Sequence, residues 1–316
     1  MGDYYYTIEK PKHGSQDWLN VRWKDEDGLA RISASVAAAV HGTHPYTSRA
    51  DLCVELLAKT PPTPKPTNSA MDRGNRFEPV LLSWYADMEQ IEVRTPDLMY
   101  AFATEDNAVR LIATLDGITP DGIPVEVKTS KKIWNGQLPD MWYWQGVQQA
   151  ICTNTNKIEW VIFDSNLEFH RHTQVVTSDE KQKHIQACRD FLSAIDNDDM
   201  PEDILIDYHH AEQLNPKSEA KQVELPEGAG ILFEQWATVK EHITTLEEHE
   251  SKLKAQIGMF LGDAEEGTID GNVVVTWKSQ SRESFDTKRF ESEHPALADK
   301  FRKTTSFRVM KAKGRK

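Results

Sequence analysis

Residues 113–130 read ATLDGITPDGIPVEVKTS, and this stretch decides the fold of the chain. At its centre, the segment from Pro120 to Gly122 suits a type I turn that ends in a glycine with positive φ. That turn closes a three-residue hairpin loop with a bulge, and in the resulting register Thr119 pairs with Ile123. The sequence therefore predicts a β-hairpin whose strands flank this turn.

The predicted hairpin gathers two carboxylates and an ammonium on one small patch. Counting back from the turn places Asp116 directly opposite Glu126, and opposed side chains lie roughly 5 Å apart at Cβ. Glu126 and Lys128 are two residues apart on one strand, so both side chains point to the same face. Like charges at this distance destabilise a fold element, whereas a divalent cation binds well between them. The patch is therefore typical of a metal site.

The ligand types in this patch favour magnesium. Mg²⁺ prefers oxygen ligands and keeps several of its waters, so few carboxylates suffice. We expect Asp116 and Glu126 to be bridging ligands, the Val127 backbone carbonyl to supply a further oxygen, and Mn²⁺ to substitute. Two divalent ions about 4 Å apart can activate a water and neutralise the departing oxygen of a phosphodiester. Lys128 would orient or deprotonate the attacking water.

A salt-bridged surface hairpin is the alternative explanation, since Asp and Glu-x-Lys are common on exposed strands. Two further features favour a catalytic site. Glu78 ends the motif GNRFE on a predicted helix just before the strands, and its carboxylate would approach the metals. Gln145 and Gln149 share one face of a later predicted helix, where an amide can hold water or phosphate without adding charge. Taken singly, each is equally typical of an ordinary solvated helix.

Hydrophobic patterning predicts a mixed α/β fold with a central sheet flanked by helices. Ser33 and Ser35 are expected to begin a short capped helix. Helical patterns cover residues 71–85, 142–151 and 179–195, and strand patterns cover residues 91–95, 98–103, 109–116, 123–129, 158–164 and 167–176. The expected order of the core is helix, three strands, helix and strand.

The chain is predicted to contain two domains, residues 1–207 and 208–316. From Leu232 to Phe260, apolar residues recur at alternating steps of four and three, interrupted only at Glu250. This heptad pattern predicts a long helix over about residues 228–262, with a coiled-coil seam. A small β-element at 271–278 and 306–311 and a basic tail are expected to follow. Packing on the same chain, self-association and docking of a partner all remain possible uses of the seam.

Composition and charge limit the class of protein. The formal net charge is −13, which argues against a protein that coats nucleic acid indiscriminately, although an acidic body can present a basic groove. Cys53, Cys152 and Cys188 share no CxxC spacing, so we expect neither disulfides nor a cysteine-only zinc site. The start lacks the apolar core of a secretion signal, and no apolar run would span a membrane. We therefore expect a soluble, cytoplasmic protein without a membrane partner.

These motifs resemble a known family, the lambda-type phage exonucleases or YqaJ-like viral recombinases of the PD-(D/E)xK nuclease superfamily. The resemblance covers roughly residues 14–195, and its motifs are DWLNVR (17–22), ISAS (32–35), GNRFEP (74–79), ATLDGI (113–118), VEVKTS (125–130) and YWQGVQQ (143–149). It implies a restriction-endonuclease-like core and Mg²⁺-dependent 5′-to-3′ degradation of double-stranded DNA ends. It also implies a 3′ strand left for a single-strand annealing protein, and ring-shaped trimers.

The resemblance further implies a pocket for the terminal 5′ phosphate. Such a pocket needs fixed N–H and O–H donors and a cation. Arg22, Ser35 and Thr114 match family positions that line it, and the family often has serine where this chain has Thr114. A further cation is expected beyond the Glu-x-Lys strand, where Lys131 and Lys132 replace the usual arginine.

Two other functions stay open on sequence grounds. The first is an endonuclease or a RecB-like nuclease module of a larger complex, which would use the same catalytic patch. The second is a scaffold that binds DNA ends without cutting them. The histidines, including His41, His170 and His210, are expected to be surface or core residues because none has a third ligand at suitable spacing.

Overall fold

The computed structural model describes residues 2–64, 66–304 and 307–311. The chain divides into two compact units, Met1–Asn215 and Pro216–Lys316. The elements of the first unit are β1 (Tyr4–Glu9), α1 (Gln16–Trp23), β2 (Ile32–Ser33), a 3₁₀ turn (Ala34–Val36), α2 (Ala37–Val40), α3 (Arg49–Leu57), α4 (Ser69–Glu89), β3 (Leu98–Ala103), β4 (Arg110–Ala113), β5 (Gly117–Ile118), β6 (Pro124–Thr129), α5 (Asp140–Cys152), β7 (Lys157–Phe163), β8 (Phe169–Val175), α6 (Ser178–Ile195) and α7 (Tyr208–Leu214). The domain boundary after residue 207 stays a prediction of the sequence.

The strands of the first unit form two four-stranded sheets, in the orders β1-β3-β4-β2 and β5-β6-β7-β8. Each sheet is mixed, because β2 pairs with β4 and β6 pairs with β7 in parallel while the other pairs are antiparallel. Helices flank the strands, so the predicted mixed α/β fold is confirmed. The chain passes from the first sheet to the second at residues 114–116, between β4 and β5.

Strand β6 lies between two helices, α4 and α5. Helix α4 covers one face of β6 and β7 through a cluster of buried side chains, which are Leu81, Leu82, Tyr85, Val125, Val127 and Val161. Helix α5 is buried from Trp144 to Cys152 and packs on the other face, where Val147 and Trp160 belong to the main core. Alternation along β6 therefore sends Val125 and Val127 toward α4 and sends Glu126 toward α5.

Three local predictions of secondary structure in the first unit are wrong. Residues 91–95 form no strand. Helix α4 ends at Glu89, its C-cap Gln90 is left-handed with φ 53°, and the stretch that follows supplies a single bridge between Arg94 and Ile118. The predicted strand 109–116 is interrupted, since β4 ends at Ala113 and the chain changes sheet. Ser33 precedes the 3₁₀ turn without capping it through its side chain.

The second unit contains α8 (Ala229–Leu261), β9 (Glu266–Ile269), β10 (Asn272–Thr276), α9 (Thr287–Glu293) and α10 (Pro295–Phe301). The long predicted helix is thus present, and β9 and β10 form an antiparallel pair that supplies a small β-element. Residues 307–311 contain no strand, and the remainder of the predicted terminal strand and basic tail lies outside the described residues.

No helix in the described ranges combines the length and the apolar character that crossing a lipid bilayer requires.

Candidate metal centre and nucleic-acid site

The hairpin of β5 and β6 has the register that the turn predicts. Gly117 pairs with Val125, and the Thr119 N–H donates to the Ile123 carbonyl at 3.0 Å. Gly122 has a φ of +79°, and its N–H donates to the Thr119 carbonyl at 3.0 Å. A side chain is strained at this φ, so the glycine sets the loop and the loop sets the pairing.

The register brings the predicted acidic pair and lysine together. Asp116 directly precedes β5 and accepts the Val127 N–H at 2.8 Å through Oδ2, which anchors it opposite Glu126. Glu126 is only 3% exposed, and its Oε1 lies 2.7 Å from the Lys128 ammonium. The three side chains therefore lie on one side of the sheet, as the sequence predicts; their roles and the Val127 carbonyl as a ligand remain predictions.

Two amides from α5 hold the Glu126 carboxylate. Gln145 Nε2 donates to Glu126 Oε1 at 2.5 Å, and Gln149 Nε2 donates to Oε2 at 2.6 Å. With Lys128, three donors thus fix a buried carboxylate, which offsets the cost of taking its charge out of water. Gln145 thus orients a candidate ligand, and its role of holding water or phosphate stays a prediction. Gln149 does the same from the next turn.

The carboxylates interact strongly with one another. Burial, followed by the charges of Glu126 and Glu78, raises the pKa of Asp116 well above its ordinary value, although Lys128 opposes this. Burial and then Glu126 also raise the pKa of Glu78. The predicted third carboxylate on α4 is therefore close enough to act on the other two.

One ammonium does not neutralise this cluster. Burial lowers the pKa of Lys128, but Glu126 and Asp116 more than offset that effect and raise it above its ordinary value. The ammonium is therefore charged at neutral pH, and it faces three acidic groups, namely Glu78, Asp116 and Glu126. A divalent cation would relieve the excess negative charge, so the charge balance of the site fits one.

Orphaned polar atoms beside the cluster also fit a bound group with its waters. Within the described residues, Gln149 Oε1 and Thr114 Oγ1 are buried without a hydrogen-bond partner. Each such atom costs roughly 1–3 kcal/mol if it stays unsatisfied. Gln149 Oε1 belongs to the amide that donates to Glu126, and the Thr114 carbonyl lies 3.5 Å from Gln149 Nε2. Water or a phosphate oxygen at this place would satisfy them.

A second cluster of side chains, at the turn after β7, also has ligand atoms close enough together to hold a metal ion. Ligand atoms of Asp164, Glu168 and His170 lie within 4.8 Å of one another, and in the described part of the chain Asp116 and Glu126 do not form such a set with a third residue. Asp164 already accepts backbone N–H groups from Trp134, Asn166 and Glu168. The Trp134 N–H and these other donors lower the pKa of Asp164 to about 2. We interpret this group as organising the turn.

The structure brings together Arg22 and Ser35, two of the residues predicted to bind a phosphate. The Arg22 guanidinium lies 3.9 Å from the centre of the Trp18 ring and donates to the hydroxyls of Ser33, at 2.8 Å, and Ser35. Burial lowers the pKa of Arg22 to about 10, with Glu55 acting in the opposite direction, so it stays cationic at neutral pH. This group of residues thus presents a cation from α1 and hydroxyls from β2 and the 3₁₀ turn.

Lys131 and Lys132 lie just beyond β6 and are exposed. Among the described contacts, the backbone of Lys132 exchanges two hydrogen bonds with the Ser130 hydroxyl, at 2.8 and 3.0 Å. Neither lysine is brought into contact with Arg22 or Ser35 by any described hydrogen bond or ion pair. Their predicted phosphate role is therefore not supported by proximity.

Sequence reasoning missed Lys10, whose charge acts on Glu78 and on His13, a neighbour of Arg22. Lys10 lowers the pKa of Glu78, although burial and Glu126 outweigh it. The pKa of His13 is itself lowered by burial and then by Arg22 and Lys10, and its ring centre lies 4.7 Å from that of Trp18. Lys10 is therefore near both halves of the site. The basic run KPKH just before α1 is the sequence feature that could have pointed to Lys10.

The chain matches a known family over its candidate site. Residues 17–156 match the family described as YqaJ-like viral recombinase domain. The Bacillus subtilis (strain 168) protein described as "Uncharacterized protein YqaJ" is 32% identical over 88 residues, which are 28% of this chain. The match spans 27% of that curated relative's length. The resemblance indicated by the motifs is thereby confirmed, and it supports the expectation of a nuclease.

Solved structures show weaker similarity. An alkaline exonuclease (LHK-Exo) from Laribacter hongkongensis has a TM-score of 0.47 and 19% identity, covering 58% of this chain and 93% of that chain. Its complex with dAMP gives a TM-score of 0.46 at 19% identity, with the same coverage of 58% and 93%. A phage related exonuclease from Haemophilus somnus 129PT has a TM-score of 0.39 and 10% identity, covering 54% and 96%. Similarities of this size assign neither a function nor a site to this chain.

Proposed function

We propose that this chain, with its YqaJ-like match at residues 17–156, is an Mg²⁺-dependent exonuclease acting on double-stranded DNA ends. It degrades the 5′ strand in the 5′-to-3′ direction and leaves a 3′ single strand. The observation that carries this proposal is the hairpin patch, in which Asp116, Glu126 and Lys128 share one face with an excess of negative charge. The nuclease domain is proposed to comprise residues 1–207.

The acidic residues of the patch are the proposed cation ligands. Asp116 and Glu126, with the Val127 carbonyl, would hold Mg²⁺, and Mn²⁺ would substitute because both prefer oxygen ligands. A bound cation of this kind activates a water and neutralises the oxygen that leaves a phosphodiester. Glu78 adds negative charge to the same place, which favours cation binding.

The chain's own residues keep this site in order. Gln145 and Gln149 fix both oxygens of Glu126, so that candidate ligand is held in place before a substrate arrives. Because the pKa of Lys128 is raised, its ammonium donates hydrogen bonds at neutral pH, which suits orienting a water or a phosphate oxygen. The orienting role for Lys128 is therefore favoured over the role of a base.

The proposed recognition of an end uses the neighbouring pocket. Arg22 supplies a guanidinium, and Ser35 and Thr114 supply hydroxyls, of which that of Thr114 is unpartnered among the described residues. A terminal 5′ phosphate would accept from all three. Lys131 and Lys132 remain candidates for more distant contacts with the DNA backbone, where exposed lysines act as mobile point charges.

The remaining parts of the proposal concern partners and location. An exonuclease that exposes a 3′ strand would work with a single-strand annealing protein in recombination, in the cytoplasm of a bacterial host. A ring-shaped trimer around the duplex is proposed on the family resemblance.

Digestion of linear duplex DNA tests the proposal. In Mg²⁺, we expect the wild type to release nucleotides from a 5′-phosphorylated linear duplex and to leave covalently closed circles intact. A duplex without the 5′ phosphate should react more slowly, and Asp116→Asn should be inactive. Equal cleavage of circles and linear DNA would show an endonuclease instead. Tight binding to ends without cleavage in either Mg²⁺ or Mn²⁺ would show a scaffold.

A further inference from the structure

Helix α8 carries a long apolar seam that the second unit leaves open. The helix has 33 residues and none of them is buried. Seven apolar side chains of the seam are between 42% and 89% exposed, and they are Leu232, Val239, Ile243, Leu246, Leu253, Ile257 and Phe260. Trp236 continues the same heptad pattern. An exposed apolar stripe of this length marks an interaction surface.

We propose that α8 pairs with α8 of a second copy of this chain as an antiparallel coiled coil. In a heptad lettered a to g, Trp236, Ile243, Glu250 and Ile257 occupy position a. The d positions are Leu232, Val239, Leu246, Leu253 and Phe260. Antiparallel helices place an a residue level with a d residue of the partner. One register then matches Ile243 with Leu246 of the second copy and keeps almost the whole seam in contact.

Charges beside the seam favour this register. Lys240 and Glu247 both follow d residues, at the e positions that meet each other across an antiparallel pair. Neither side chain is in an ion pair within the described residues, and they are about 10 Å apart along their own helix. In the proposed register, Lys240 of each copy lies beside Glu247 of the other, so symmetry makes two complementary pairs.

The polar residue within the seam argues against a parallel pair. Glu250 occupies an a position, and in a parallel dimer it would face Glu250 of the second copy inside the seam, where like charges repel. In the antiparallel register it lies level with Val239 of the second copy instead. Its carboxylate is 2.7 Å from the Lys254 ammonium of its own helix, which compensates the charge at the edge of the seam.

The pairing is independent of the proposed nuclease activity, since every residue it uses lies in the second unit. A charge exchange tests it in the full-length chain by sedimentation equilibrium. Lys240→Glu and Glu247→Lys should each weaken the dimer about tenfold, because two attractions become repulsions. The double variant should restore the wild-type affinity. Lys252→Glu and Glu248→Lys, at outward-facing c and f positions, are matched controls that should change nothing.

Pairing through α8 is separate from the proposed trimer, so the expected wild-type mass is an even multiple of the 36.0 kDa chain, which a trimer alone does not give. Equal masses for the wild type, the single variants and the double variant would overturn the proposal and indicate that another partner covers the seam. Failure of the double variant to recover, with a helical circular-dichroism signal equal to the wild type, would overturn the register.

Disulfide trapping tests the orientation separately. Leu232 and Ile257 lie level across the antiparallel pair, so a mixture of Leu232→Cys and Ile257→Cys proteins should form a cross-linked heterodimer on oxidation. Either variant alone should stay uncross-linked. Cross-linking of each variant with itself would show a parallel pair and overturn the proposal. The native Cys53, Cys152 and Cys188 are buried and do not compete.

Discussion

At the scale of single residues, the candidate site gathers buried acidic groups, and their mutual repulsion lowers the stability of the folded protein. Glu126 is buried, and its carboxyl oxygens accept hydrogen bonds from Lys128, Gln145 and Gln149. Asp116 lies beside it with a pKa raised by burial and by the neighbouring carboxylates. A protein selected only for stability would avoid this cluster, and strained electrostatics of this kind are typical of functional sites.

Neutralising Asp116 should therefore stabilise the cation-free protein. Because its folded-state pKa is raised, the folded protein binds this proton more tightly than the unfolded chain does. The stability that this proton provides is complete below the unfolded pKa, about 3.9, and is lost as pH rises through the folded value. In EDTA at pH 8, Asp116→Asn should therefore unfold at a higher temperature than the wild type.

The difference in stability between Asp116→Asn and the wild type should shrink toward pH 4, where the wild-type carboxyl is protonated. Saturating Mg²⁺ should raise the melting temperature of the wild type and leave the variant unchanged. Thermal unfolding between pH 4 and 8, with and without Mg²⁺, measures all of these effects. A variant less stable than the wild type in EDTA at pH 8 would contradict the description of the cluster as electrostatically strained.

Gln149→Leu should remove one of the donors on Glu126. The free energy of unfolding should fall by roughly 1–3 kcal/mol, because Oε2 of a buried carboxylate loses its partner. Cleavage of linear DNA should fall with it, since the ligand is no longer held. Gln186→Leu on the exposed face of α6 is the matched control and should change neither quantity. Urea unfolding measures the first quantity and a nuclease assay the second. Unchanged activity per folded molecule would show that Gln149 has only a structural role.

The positions of site residues were predictable from the sequence where local spacing sets them. Asp116, Glu126 and Lys128 follow from one turn type and the two-residue period of a strand. The contact of Arg22 with Ser35, at a separation of 13 residues, was suggested only through the family resemblance. Lys10 was missed because its proximity to Glu78 results from tertiary packing, which no local pattern encodes.

At the scale of secondary-structure elements, the close approach of α5 to the second sheet positions the amides. Gly146 lies between Gln145 and Gln149 on α5. A Cβ at this position would lie 2.1 Å from Gln174 Oε1 and 3.0 Å from the Trp160 ring. Gln174 is itself engaged with Trp160 Nε1 at 3.0 Å and the Tyr143 carbonyl at 3.0 Å, so it cannot move freely.

Gly146→Ala should therefore displace α5. We expect a loss of roughly 1–3 kcal/mol in the free energy of unfolding, as for other overpacked cores, and lower nuclease activity because both glutamines shift. Gly74→Ala, on α4 with nothing within 4 Å of the added Cβ, is the control. It should raise stability by up to about 1 kcal/mol, since alanine favours helices. Equal effects of the two substitutions would contradict the close packing of α5.

At this scale too, elements that depend on local patterns were predictable, whereas those that depend on tertiary contacts were not. The helices α4, α5, α6 and α8 and the hairpin register follow from periodicity and turn chemistry. The division of the strands into two sheets does not, because strand partners are chosen by tertiary contacts. Residues 91–95 have β-forming composition, but they find only the single bridge to Ile118. The edge strand β1 was missed because its exposed tyrosines give no alternating pattern.

At the scale of the whole molecule, every candidate site residue lies in the first unit, which has its own core. A chain ending at residue 215 should therefore keep Asp116-dependent cleavage of linear duplex DNA and lose the proposed α8 pairing. Assays of this fragment beside the full chain would measure both. A folded fragment without any cleavage would show that the second unit contributes to the site.

The overall charge of −13 makes DNA binding depend on a few local cations. Arg22 is the best placed of these, because burial and its two serine contacts fix its position. Arg22→Gln should weaken binding of a 5′-phosphorylated end much more than binding of an unphosphorylated one. Fluorescence anisotropy with both duplexes in Ca²⁺ measures this preference, and an equal loss for the two ends would contradict a terminal phosphate pocket.

We propose that the β5–β6 hairpin patch, and not the Asp164 turn, binds the divalent cation. Calorimetric titration with Mn²⁺ compares wild type, Asp116→Asn and Glu168→Gln most directly. We predict saturable binding by the wild type, at least about tenfold weaker binding by Asp116→Asn, and unchanged binding by Glu168→Gln. Binding that survives Asp116→Asn but is lost in Glu168→Gln would place the cation at the turn and contradict the account.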